Sequence, residues 1–181
     1  MTATALDADY SIVAKGGIGA YMVSAPSSQG PYVANELYAA HNVYRDAEKP
    51  AVHGKADVVV VAIGQHDHNP VNVMAEDYHS VASRRWRAEY CRFLGLLRET
   101  YPHAHIVCTT TILGHDPAWD RAIDECVTAM ADGRIYHFLY TKNGCGTPGH
   151  IRGSEAAVMA QELAGFIEGL PGVWEESFAE K

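Results

Sequence analysis

Three short polar stretches carry the residue types that do chemistry. GQHDHN, residues 64–69, sets His66, Asp67 and His68 side by side behind a glycine. Imidazole and carboxylate groups donate or accept hydrogen bonds, orient a third group or ligate a metal. GCGTPGH, residues 144–150, presents His150 behind three glycines and a proline. A histidine with its ordinary pKa near 6.5 suits general base and acid work at neutral pH. KGGIG, residues 15–19, offers backbone N–H groups in a permissive loop, suited to an anion or an oxyanion.

Each stretch also has a plainer reading. Asp67 can cap or brace its own turn. A metal site could draw on His66, Asp67 and His68 with His115 or His150. Zinc wants three protein ligands, and HDH aims both imidazoles the same way only in an extended chain. No second compact cluster such as HExxH is present, so the sequence predicts neither metal nor cofactor.

These stretches need elements to position them. ADVVVVAIG, residues 56–64, is a continuous β-branched run and reads as a strand buried on both faces. Residues 9–14 (DYSIVA), 104–112 (AHIVCTTTI) and 134–140 (RIYHFLY) read as further strands. Helices are expected over residues 32–41, 83–101, 117–131 and 153–170. The second has Ser83 as its cap and Trp86, Tyr90, Phe93, Leu94 and Leu97 at helical spacing. The third has proline in its first turn and Gly133 just past its end. Alternating strands and helices predict an α/β domain, with a mostly parallel sheet and right-handed crossovers. Ligands of such sheets sit outside the carboxyl ends of the strands. The segments leaving those ends are residues 16–21, 64–69, 113–116 and 141–150, and three of the four carry histidine.

Composition narrows the function. The chain has 181 residues, which fits one domain over residues 1–181. A hydrophobic content of 48% against 20% charged supplies a sizeable core. The net charge of −8 argues against nucleic acid or an anionic membrane surface as partner. The Arg84-Arg85-Trp86-Arg87 cluster is too short to reverse that and reads as a solvated helix face. No apolar stretch is long enough for a transmembrane helix. Cys91, Cys108, Cys126 and Cys145 show no CxxC spacing and read as free thiols. With no signal-peptide pattern at the start, a cytoplasmic location is expected.

In order and spacing, SIVAKGGIGAY, ADVVVVAIGQHD and GCGTPGHIRGSEAAVMAQEL resemble the later blocks of the SGNH (GDSL-type) hydrolases. The nearest likeness is to the carbohydrate esterase family 2 deacetylases, and it runs from about Leu6 to Leu170. The resemblance implies a three-layer, flavodoxin-like fold. It implies hydrolysis of esters, in this branch acetyl groups on sugars, by a serine nucleophile without cofactor. Gly17 matches the block II glycine whose N–H helps form the oxyanion hole. Gly64-Gln65-His66-Asp67 matches the block III Gly-x-Asn-Asp, and His150 matches the catalytic histidine of block V. Tyr21 and Tyr140, near the site's edge, are placed to stack on a sugar ring.

The sequence departs from the family pattern in three places. The Gly-Asp-Ser block, normally upstream of KGGIG on the loop after the first strand, is not among the fifteen residues before Gly16. Ser24, Ser27, Ser28 and Cys145 are the alternative nucleophiles, and a nucleophile must lie within about 2.6–3.2 Å of its base. His66 replaces the block III asparagine and can still donate a hydrogen bond. Thr147 stands where an aspartate often orients the histidine; family 2 members can use a backbone carbonyl instead. In the family's strand order, 2-1-3-4-5, the missing strand lies between residues 9–14 and 58–63. Those two strands must therefore pair directly, borrow a strand from a partner subunit, or belong to a fragment. A homodimer with a rearranged or exchanged strand is expected. The runner-up function is a catalytically impaired protein that binds a ligand or partner through the same cleft.

Overall fold

The computed structural model describes residues 1–14, 20, 55–68 and 71–174. It opens on a short helix, α1 (Thr2–Ala5). Three parallel strands follow, β1 (Val58–Ala62), β2 (His105–Thr109) and β3 (Ile135–His137), paired side by side in that order. Val60 faces Val107 across the first pairing, and Cys108 faces His137 across the second. Between the strands run α2 (Val73–Glu76), α3 (Val81–Thr100) and α4 (Pro117–Met130), and α5 (Gly153–Glu168) follows β3. This is the expected α/β architecture with a parallel sheet.

The strands' period of two sorts their side chains into two cores. Val61, Ile106 and Cys108 point to one face and meet Trp86, Tyr90 and Leu94 of α3 and Trp119 and Ile123 of α4. Trp86 stacks on Tyr90 at 4.9 Å and meets the edge of Trp119 at 5.4 Å. All three rings are fully buried, and side chains of this size contribute about 1.5–3 kcal/mol each on burial. Val107 points to the opposite face, against Leu163 and Ile167 of α5. Helices on both faces make three layers.

Several local expectations are corrected. The cap of α3 is Ser80, whose hydroxyl accepts from the Ser83 N–H at 3.1 Å. Ser83 is instead buried one turn inside, and its hydroxyl donates to the carbonyls of Val73 and Asp77. Helix α4 does end where expected, with Ala131 as its cap in the left-handed region at φ 50°, two residues before Gly133. The third strand is only three residues long, because the chain turns away from β2 after His137.

Two corrections concern the outer edge of the sheet. Residues 9–14 form no strand and pair neither with β1 nor with any other strand among the described residues. Tyr10 and Ile12 are 60% and 67% exposed. β propensity reflects packing on a pleated surface, and this hexapeptide has no neighbouring strand among the described residues to supply one. Nor do the described residues cover β1 on both faces, since Val60 is 43% exposed. A trough of about 1440 Å³ lies between residues 8–14, β1 and the Ala156–Ala160 side of α5. The expected helix over residues 32–41 lies outside the described residues.

Candidate active site

The turn after β1 begins at Gly64, with φ +127°. A Cβ there would sit 3.1 Å from Ile123 Cδ1, so glycine answers both the backbone angle and the close approach of α4. Residues Gln65–His68 then wind into a 3-10 turn. Asp67 is fully buried in it, and its carboxylate accepts the backbone N–H of Ala20 at 2.6 Å. Its own N–H donates to the Gly64 carbonyl. Asp67 thus ties this turn to the residue that follows KGGIG, which is the bracing role. Gly17, Tyr21, Ser24, Ser27, Ser28 and the side chain of His66 lie outside the described residues.

The loop after β2 is built around a buried ion pair. The Nε2–H of His115 donates to both Asp120 carboxylate oxygens at 3.0 Å, and its Nδ1–H donates to the Leu113 carbonyl at 2.7 Å. Both ring nitrogens face acceptors, an arrangement that favours the doubly protonated imidazolium. The hydrogen bond to Asp120 raises the His115 pKa and outweighs the desolvation that opposes it. Burial alone pushes the Asp120 carboxyl up, but hydrogen bonds from His115, Asn143 and Thr110 and the imidazolium charge together hold it below its ordinary value. Asn143 Nδ2 donates to Asp120 at 2.8 Å, and the Thr110 hydroxyl lies 3.2 Å from Asp120 and 3.1 Å from Asn143. This network joins the end of β2, the first turn of α4 and the loop after β3. His115 has no lone pair left for a metal or a substrate proton.

The loop after β3 has the opposite character. Its base is fastened to the β2 loop, where the Gly146 N–H donates to the Ile112 carbonyl at 2.6 Å. A Cβ on Gly146 would come within 2.8 Å of that same carbonyl oxygen. Glu155, in the first turn of α5, then accepts from the Thr147 N–H at 2.8 Å, the Thr147 hydroxyl at 2.9 Å and the Arg152 N–H at 2.8 Å. The Arg152 and Thr147 donors, in that order, hold its carboxyl below the ordinary value. Pro148 and Gly149 (φ +92°) turn the chain, and Ile151 packs into the second core. His150 is exposed at the tip.

Of the remaining candidates, Cys145 is exposed on the same loop and its thiol is free. Tyr140 is only 7% exposed and packs edge-on against Phe138 at 5.0 Å, so its ring belongs to the second core rather than to an open sugar platform. Among the described residues no group of three His, Cys, Asp or Glu side chains could hold a metal ion. No described helix is long and apolar enough to cross a membrane. Thr110, Asp120 and Asn143 were not singled out from the sequence. Their one signal is the Asp116-Pro117 helix start at the carboxyl edge, which puts Asp120 in the first turn of α4.

No family model matches the sequence, and no curated protein does. Solved structures do. A family two carbohydrate esterase from Clostridium thermocellum, in complex with cellohexaose, superposes with a TM-score of 0.65 at 19% identity. The match covers 95% of this chain and 53% of that one. A second carbohydrate esterase, whose active site displays divergent catalytic and non-catalytic binding functions, gives 0.66 at 20% identity over 96% of this chain and 54% of its own. The acetyl xylan esterase Est2A from the rumen bacterium Butyrivibrio proteoclasticus gives 0.60 at 18%, over 96% and 54%. The chain therefore has the flavodoxin-like fold of the family 2 carbohydrate esterases and spans about half the length of the structures it matches.

Proposed function

We propose that this chain carries the hydrolytic edge of an esterase acting on small acyl esters, acetyl groups on carbohydrates, with His150 as general base and acid. The observation that carries this reading is the exposed His150, held on an anchored loop at the carboxyl edge of a sheet with the fold of carbohydrate esterases. His150 takes the proton of the attacking hydroxyl as its oxygen adds to the ester carbonyl carbon. The negative charge that develops on the carbonyl oxygen meets the Gly17 N–H and the His66 side chain. Collapse breaks the ester bond, and the same imidazole returns the proton to the leaving sugar oxygen. Water then releases the acyl group by the same steps in reverse roles. Ser24, Ser27 and Ser28 are the nucleophile candidates from the loop after KGGIG, and Cys145 is a fourth.

Two measurements on the purified chain test this. Turnover of an acetylated sugar is followed by release of acetate, and a serine-directed phosphonate is mapped by mass spectrometry. An adduct on Ser24, Ser27 or Ser28 together with turnover supports the esterase. Neither adduct nor turnover, with retained binding of a sugar such as cellohexaose, supports the second reading, a cleft that binds without hydrolysing. That reading is favoured by the neighbouring carbohydrate esterase whose active site displays divergent catalytic and non-catalytic binding functions.

We further propose a homodimer in which a second copy completes the sheet at β1. Among the described residues β1 is an outer strand of the sheet and lines the trough, and unpaired strand edges template pairing with another chain. Light scattering across a range of concentrations decides this, and a monomer at every concentration excludes it.

A further inference from the structure

We infer that Glu155 is the positioning residue of His150, acting through the loop rather than on the substrate. The inference rests on the reading of His150 as the working imidazole. Residues 147–152 span six positions between the anchored Gly146 and the start of α5, and one carboxylate closes both ends. Oxygen Oε1 takes two donors from Thr147, and Oε2 takes the N–H of Arg152. Each oxygen thus holds one end of the loop, and the rigid planar group between them fixes the separation. Ile151 is drawn into the second core beside this clamp, while His150 projects outward. The sequence pattern that often supplies an aspartate three residues before the histidine has Thr147 here. Thr147 can donate to Glu155 but cannot orient the ring as a carboxylate would. The loop backbone must therefore set where the imidazole stands, and Glu155 sets the backbone.

Only a carboxylate can make this clamp. The amide of a Glu155→Gln variant would keep one acceptor, but its NH₂ group would confront the backbone N–H it must receive, donor against donor. The test is the ring of His150 watched directly. Its Hε1–Cε1 resonance is assigned by its loss in His150→Gln, and is then followed in Glu155→Gln and in the milder Thr147→Val.

The expected result is one sharp His150 signal in the unaltered protein, which broadens or splits in Glu155→Gln and shifts less in Thr147→Val. Hydrolysis of the acetyl ester should fall about 10- to 100-fold in kcat, with KM little changed, since a small misplacement of a reacting group has that cost. A His150 signal identical in all three proteins overturns the inference, even if the variants melt earlier, because a purely structural cap would lower stability without moving the ring. If the unaltered protein hydrolyses nothing, the esterase reading fails on its own, while the resonance still decides whether Glu155 positions His150.

Discussion

The loops that leave β2 and β3 each carry a histidine at the same edge of the sheet, and they treat it in opposite ways. His115 is swallowed: both nitrogens donate, its carboxylate partner is itself held by Asn143 and Thr110, and its side chain is 1% exposed. His150 stands outside while everything around it is tied down. A buried imidazolium with no free nitrogen can only hold structure. An exposed ring on an anchored backbone can exchange protons. Position at the strand ends alone does not reveal a brace, whereas the inventory of occupied nitrogens does. The Asp120 network also supplies one floor of the second loop through Asn143, so the brace supports the site without taking part in it.

The contrast predicts separable losses. Asp120→Ala leaves the His115 imidazolium buried without its counter-charge, and unfolding in urea should show a loss of about 3–5 kcal/mol. A loss under about 1 kcal/mol would mean the network is not the brace described here. Gly146→Ala drives a methyl group against the Ile112 carbonyl, for which overpacking costs about 1–3 kcal/mol. Because it shifts the base of the His150 loop, turnover should fall further than the melting temperature alone accounts for.

The smallest effect is the pH dependence of the brace, and its sign follows from the two partners. His115 has a raised pKa when folded, so its contribution is complete below the unfolded value near 6.5 and fades as pH climbs through the folded one. Asp120 is lowered, so its contribution is complete above the unfolded value near 3.9 and fades as pH drops through the folded one. Stability from the pair should therefore peak between about pH 4 and pH 6.5. The His115→Gln variant, measured by urea midpoints across that range and above it, should lose the decline on the alkaline side.

Much of the scaffold was legible in the sequence, because runs such as VVVVA and HIVCT and the helical spacing of Trp86, Tyr90, Leu94 and Leu97 record burial residue by residue. The exposed histidine behind Thr147-Pro148-Gly149 was legible for a related reason, since proline and glycine mark a turn wherever they stand. What could not be read depends on a partner distant in the chain. DYSIVA has the composition of a strand but no described neighbour to pair with, and the valines of β1 promise a second covered face that the described residues do not supply. Asp120 and Asn143 become a pair only after β2 and β3 bring their loops together. Ser80 outcompeted Ser83 as the cap because α3 starts one turn earlier than its apolar face suggests.

The account turns on the imidazole of residue 150 moving the proton. Acetate release from an acetylated sugar by His150→Ala, measured beside the unaltered protein at matched folded fraction, tests that most directly. The account predicts a fall of about 100- to 10,000-fold with an unchanged melting temperature; equal turnover by the two proteins contradicts it.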